Sequence, residues 1–296
     1  MKRAVPALLL ATLALGGSAA GAHAAFPGAN GRIAFTRFVP SSPGGDGAPD
    51  HGTFTGTIRP DGGGRQLFPC GSDGLPCRDR DPAFSRDGVR IAFSTGEGPD
   101  ARIAVMRSDG TDLRVLPVDG ERPTWSPSGR RLAFERDGQI WIVDADGGDL
   151  EQLTFRGGSQ PAWSSDGRIA FTRRTRDTGF PGLDTDVFVI RPGGSRARRL
   201  TFRGGSSPDW SPHASKIAFE RRLDVHIVRS AGGGLRRFTF GEASSPVWSP
   251  NGRRIAFLHP VFADDGNQGI YVKRTDGLGL RKLLNAAFPG GWQPLR

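Results

Sequence analysis

The chain of 296 residues has only two cysteines, Cys70 and Cys77, and no apolar run long enough to cross a bilayer. Two thiolates at this spacing need further ligands from elsewhere to hold a metal. In an oxidising compartment their expected use is a disulfide that pins a loop. The apolar stretch from Ala4 to Leu15 is twelve residues, whereas a spanning helix needs about 20. Linear catalytic motifs are missing. There is no Gly-x-Ser-x-Gly elbow, no His-Glu-x-x-His and no phosphate-cradling Gly-x-x-x-x-Gly-Lys loop. Lysine is scarce, since 36 of the 40 basic residues are arginine. No stripe alternates aromatic with basic side chains as a single-strand nucleic-acid platform would, so no nucleic-acid partner is expected. Helical periodicities are few, which points to an all-β chain.

What is present at the N-terminus reads as an export signal. Lys2 and Arg3 precede the apolar stretch, and Ala22-His23-Ala24 is a small-x-small cleavage site. No cysteine stands near that site, which argues against a lipid anchor. The expectation is a signal peptide over residues 1–24, cleavage near Ala24 and a secreted or periplasmic product. The net charge is +10, and removing Lys2 and Arg3 leaves 38 basic against 30 acidic residues, or +8. Such a balance favours anionic polymers or surfaces, but the arginines are scattered, as at Arg130-Arg131, Arg198-Arg199, Arg236-Arg237 and Arg253-Arg254.

A short aromatic phrase returns six times. Its clearest copies are Pro123-Thr124-Trp125-Ser126-Pro127-Ser128-Gly129-Arg130-Arg131-Leu132-Ala133-Phe134 and Pro246-Val247-Trp248-Ser249-Pro250-Asn251-Gly252-Arg253-Arg254-Ile255-Ala256-Phe257. Phe84, Trp163 and Trp210 open three more. The sixth is split, with Asn30-Gly31-Arg32-Ile33-Ala34-Phe35 near one end and Gly291-Trp292-Gln293-Pro294 near the other. The anchors 84, 125, 163, 210, 248 and 292 are 38 to 47 residues apart, the period of a four-stranded propeller blade. A repeat divided between the ends predicts a six-bladed β-propeller closed by pairing of its N- and C-terminal segments, as one domain over residues 25–296. Within a unit, Asp137-Gly138 is a hairpin signal between apolar runs. Ile140 to Val143 reads as a third strand and Leu150 to Thr154 as the outermost. The recurrent Trp and Phe anchors read as packing between blades.

The phrase Pro-x-Trp-Ser-Pro-x-Gly-x-x-Ile-Ala-Phe, followed by Ile-x-Val and a Leu-Thr strand (Leu153-Thr154, Leu200-Thr201), resembles the TolB-type propeller repeat, a WD-like repeat. The resemblance covers residues 26–296 and implies six blades with interlocked ends. It concerns the propeller alone. The α/β domain that TolB carries ahead of its propeller does not fit between Ala25 and Ile33, and no hydrolase domain is expected.

In an up-and-down blade the turn between second and third strands shares a face with the link to the next blade. On that face the sequence is elaborated: Phe38 to Thr55 with His51, Phe68 to Asp81 with both cysteines, Arg174 to Asp186, and His259 to Gly269 with Asp264-Asp265. Variable loops on one face mark a binding surface. At the channel mouth the residues before the anchor prolines, Asp81, Arg122, Gln160, Ser207 and Ser245, form a candidate polar ring. His51, His259 and Asp265 are candidates on the loops. This mixture is not a metal cage, and neither metal nor cofactor is expected. The reading is an exported, non-catalytic, monomeric scaffold for a protein, peptide or envelope component. The alternative is a small propeller hydrolase or lyase acting on a carbohydrate or anionic substrate, with His51 and His259 as base and acid.

Overall fold

A computed structural model describes residues 26–39, 52–68, 77–176, 184–194, 196–259 and 268–295. Residues 1–25, His51, Cys70 and Asp265 lie outside the described residues. The described chain forms six antiparallel sheets. Blade three runs outward through Glu121–Trp125, Arg131–Arg136, Gln139–Asp144 and Glu151–Gln152. Blade four repeats this with Ser159–Trp163, Ile169–Arg174, Thr185–Ile190 and Arg198–Arg199. Blade five follows with Ser206–Trp210, Lys216–Arg221, Asp224–Arg229 and Arg236–Arg237. Blade two begins at Arg80–Phe84 and blade six at Ser244–Trp248. No α-helix occurs among the described residues, and no helix there is long and apolar enough to cross a membrane.

Blade one is the closure. Its innermost strand, Ala287–Leu295, comes from the C-terminal end and pairs antiparallel with Ala29–Val39, Ile33 facing Trp292 and Phe35 facing Pro289. The fit is tight. A side chain at Gly290 would run into the Pro82 carbonyl of blade two, and one at Gly291 would meet the Phe84 amide at 2.8 Å. That explains Gly-Gly where other inner strands carry Pro-x. Blade one also gains a short parallel strand, Cys77–Arg78, beside Gly52 and Thr53.

The Ile-Ala-Phe phrase of each second strand is buried on both faces because neighbouring blades cover it. The bulky and small faces alternate around the ring. Ala162, Ala170, Val187 and Val189 of blade four pack against Trp210, Ile217 and Phe219 of blade five. The Trp anchors add polar contacts between blades. Trp125 and Trp210 donate their indole N–H to the carbonyls of Ala83 and Ala162 at 3.1 and 3.0 Å. Arg90 and Arg168 of the preceding blades lie over the same rings at 4.4 and 4.6 Å.

The outer strands are shorter than the sequence predicts. In blade three pairing stops at Gln152 because the Thr154 hydroxyl takes the Ile140 N–H at 2.9 Å, replacing a ladder bond with a side-chain bond. Thr201 and Thr239 do the same for Val187 and Val225. Each threonine donates in turn to the first residue of a third strand, or its neighbour: Gln139, Asp186 and Asp224. The same three side chains also accept the N–H of Gly157, Gly204 and Gly241. This clamp fixes the links between blades three to six.

Candidate channel-mouth site

Five inner strands start with the same irregularity. Asp81, Arg122, Gln160, Ser207 and Ser245 have φ between 49° and 56°, with a register shift beside each. An extra residue in a strand breaks the ladder, and the proline that follows has no N–H to leave unpaired there. Left-handed conformations cost a non-glycine residue about 1–2 kcal/mol. At the sixth inner strand the residue three before the tryptophan is Pro289, which cannot adopt positive φ.

The bulge turns each of these amides toward the preceding blade, where it finds a side chain that sequence reasoning missed. Asp81 N–H donates to Thr36 Oγ1 at 3.1 Å, Arg122 N–H to Ser94 Oγ at 2.9 Å and Gln160 N–H to Glu135 Oε2 at 3.2 Å. Ser207 N–H donates to Thr172 Oγ1 at 3.2 Å and to Gln160 Oε1 at 3.0 Å. Ser245 N–H donates to the Glu220 carboxyl. Apart from Gln160 Oε1, the acceptors occupy one repeat position, directly after the phenylalanine of Ile-Ala-Phe or its equivalent. In the sixth unit that position is Leu258, in the blade just before the one carrying Pro289. An acceptor is absent in the one unit whose partner cannot donate.

Parts of these two rings line a cavity of about 410 Å³, bounded by Arg122, Glu135, Gln160, Ser207, Glu220 and the Arg221 to Leu223 turn. It opens on the face that carries the long insertions, since its walls are starts of inner strands, ends of second strands and a turn between second and third strands. Three ring residues from the sequence, Arg122, Gln160 and Ser207, therefore meet in one place. Gln160 Nε2 donates to Ser207 Oγ at 3.0 Å, and Thr172 Oγ1 donates to Gln160 Oε1 at 2.8 Å. Asp81 and Ser245 are buried and do not line the cavity. His259 is elsewhere, bonded to the Glu242 carbonyl at 3.1 Å and packed edge-on against Tyr271.

Charge in the site is partly compensated. Arg122 bonds Glu135 at 2.8 Å. Burial opposes its charge, but Asp81, Glu135 and Glu121 outweigh that and raise its pKa above the ordinary value. Glu220 has no such partner. Burial pushes its carboxyl up to about 7, opposed only by the Ser245 N–H. One position beyond each proline, Thr124 accepts the Trp163 N–H and Asp209 accepts the Trp248 N–H at 2.6 Å. Full burial raises the Asp209 carboxyl well above its ordinary range, against the Trp248 and Trp210 amides. Among the described residues no cluster of three or more His, Cys, Asp or Glu is placed to hold a metal ion.

No known protein-family profile matches the chain. A stretch of 71 residues is 41% identical to the Tol-Pal system protein TolB 1 of Novosphingobium aromaticivorans, covering 21% of this chain. Another of 103 residues is 33% identical to the uncharacterized peptidase YuxL of Bacillus subtilis, covering 29% of this chain. Each match spans only 16% of the relative's length. Among solved structures, TolB from Acinetobacter baumannii superposes with a TM-score of 0.69 at 20% identity, over 89% of this chain and 67% of that one. The fold is thus the TolB-like six-bladed propeller.

Proposed function

We propose that this chain is an exported, non-catalytic propeller that binds a protein, peptide or envelope component through the face bearing the channel mouth and the long insertions. The observation that carries this reading is the polar cavity itself. Its ring side chains bond one another, and no described histidine lines it. His259, one of the two histidines of the enzyme reading, is bonded to the Glu242 carbonyl and does not line the cavity. The likeness to a Tol-Pal system protein agrees with an envelope role. The basic balance then serves attraction to an acidic partner, and a Cys70–Cys77 disulfide would brace the same face.

The test is a pull-down from solubilised envelope extract at two salt concentrations, with the parent and with a bait shortened at 40–51 and 177–183. One partner held by the parent at high salt and lost by the shortened bait is the expected result. Equal, salt-sensitive recovery of many species by both baits would reduce the charge to non-specific adhesion. It would bring forward the enzyme reading, for which Glu220, with its raised pKa, is the candidate acid.

A further inference from the structure

Three phenylalanines stand out of the surface at one repeat position. Phe155, Phe202 and Phe240 are 74%, 65% and 77% exposed. Each follows the clamp threonine of its blade, and the hexapeptide Leu-Thr-Phe-Arg-Gly-Gly occurs identically at 153–158 and 200–205. They sit on the links leaving blades three, four and five, on the cavity face. Scattered exposed apolar residues need no explanation. The same exposed ring in three successive blades is a regular placement rather than scatter.

These rings are held ready. The clamp threonine and glycine bracket each of them. In blades four and five an arginine anchored on a buried aspartate backs the ring: Arg199 on Asp186 lies over Phe202 at 5.0 Å, and Arg237 on Asp224 lies over Phe240 at 4.8 Å. Positive charge follows the same arc. Among the described residues no carboxylate is within ion-pair distance of Arg156, Arg203, Arg221 or Arg222. They also oppose one another. Burial, Arg222 and Arg203 push the Arg221 guanidinium down against Asp186, and burial and Arg156 do the same to Arg173.

We propose that the Phe155–Phe202–Phe240 arc and its arginines dock an extended acidic segment of a partner protein, with apolar side chains on the rings and carboxylates on Arg156, Arg203, Arg221 and Arg222. The proposal rests on the binding reading above and names the partner's chemistry. Charge complementarity selects an anionic ligand, and rings without a polar edge select apolar side chains.

The test is selection of a phage-displayed random dodecapeptide library on the purified full chain, followed by fluorescence anisotropy of the enriched peptides. Parent and Phe155→Ser/Phe202→Ser/Phe240→Ser proteins are compared. All three side chains are exposed, so the melting temperature is expected to hold, and the three single variants serve if it does not. Support is enrichment of net-acidic peptides with two or more apolar residues, bound about tenfold or more weakly by the triple variant and weakened by salt. Enrichment of neutral or basic peptides overturns the proposal. So do acidic peptides bound equally by both proteins, which would leave binding through the cavity standing. Polygalacturonate or phosphatidylglycerol vesicles bound in place of peptides, with loss in the triple variant, assign the arc to another class and overturn it too. Absence of any binding removes this proposal, and the reading beneath it then stands or falls on the envelope pull-down.

Discussion

Replacing Glu220 by glutamine should stabilise the protein at pH 8 and leave it unchanged near pH 4.5. The carboxyl accepts the Ser245 N–H, and glutamine's Oε1 can do the same. Only the ionisation differs. Burial raises this carboxyl from 4.5 to about 7, and each pH unit is worth about 1.4 kcal/mol. Ionised Glu220 therefore costs the folded state about 3 kcal/mol, reduced to about 2 because the side chain still meets water in the cavity. A raised carboxylate pKa means that the folded state holds its proton longer than the unfolded chain. The contribution is thus fully present below about pH 4.5 and is lost as pH rises through 7. Asp79, pushed up to about 6 by burial against a Thr95 bond, acts with the same sign. The variant should keep the declines due to Asp79 and Asp209 and lose the Glu220 part. In thermal unfolding followed by tryptophan fluorescence at constant ionic strength, the variant should melt about 4–8 °C above the parent at pH 8. The gap should close toward pH 4.5. A gap independent of pH, or a variant less stable than the parent at pH 8, would refute the reasoning.

Other perturbations separate the parts of the ring. Trp210→Phe should cost about 1 kcal/mol more than Trp163→Phe in denaturant unfolding, because Trp210 bonds the Ala162 carbonyl whereas the Trp163 indole nitrogen has no partner. Trp163→Ala should cost about 3–5 kcal/mol through the cavity it leaves, and a melting temperature within a degree or two of the parent would contradict its place in the core. Ser94→Ala should cost about 1–3 kcal/mol by orphaning the Arg122 amide. Thr172→Val should cost less, since Ser207 N–H retains Gln160 Oε1, and the reverse order would discredit the two-ring description. Deleting residues 288–296 should abolish the cooperative calorimetric transition, and an unchanged transition would argue against closure by the inner strand.

The blades were legible because the anchor phrase carries both pleat and turn, and closure was legible because Trp292 lacked its own Ile-Ala-Phe until Arg32 to Phe35 supplied one. The bulge residues were found by their place before proline. Their acceptors were not. Thr36, Ser94, Glu135, Thr172 and Glu220 look like the ordinary polar alternates of a second strand, and only comparison by repeat position reveals the ring. The exposed phenylalanines were hidden for a related reason. Extending the outer strand to Thr154 makes Phe155 its next residue, but the threonine hydroxyl ends the ladder at Gln152 and turns the ring outward. A hydrogen bond from a side chain to the backbone leaves no mark on hydrophobic periodicity.

The inner strand of blade one has a consequence in time. Ala287–Leu295 is made after every other described strand, yet its partner Ala29–Val39 is the first described strand to be made. Blades two to six can assemble from neighbouring segments as they emerge, but blade one must wait with its edge bare for almost the whole of synthesis. Contacts of such long sequence separation form slowly, and unpaired strand edges invite association. Synthesis of the strand Ala287–Leu295, rather than the stability of any single blade, sets the moment at which the ring can close.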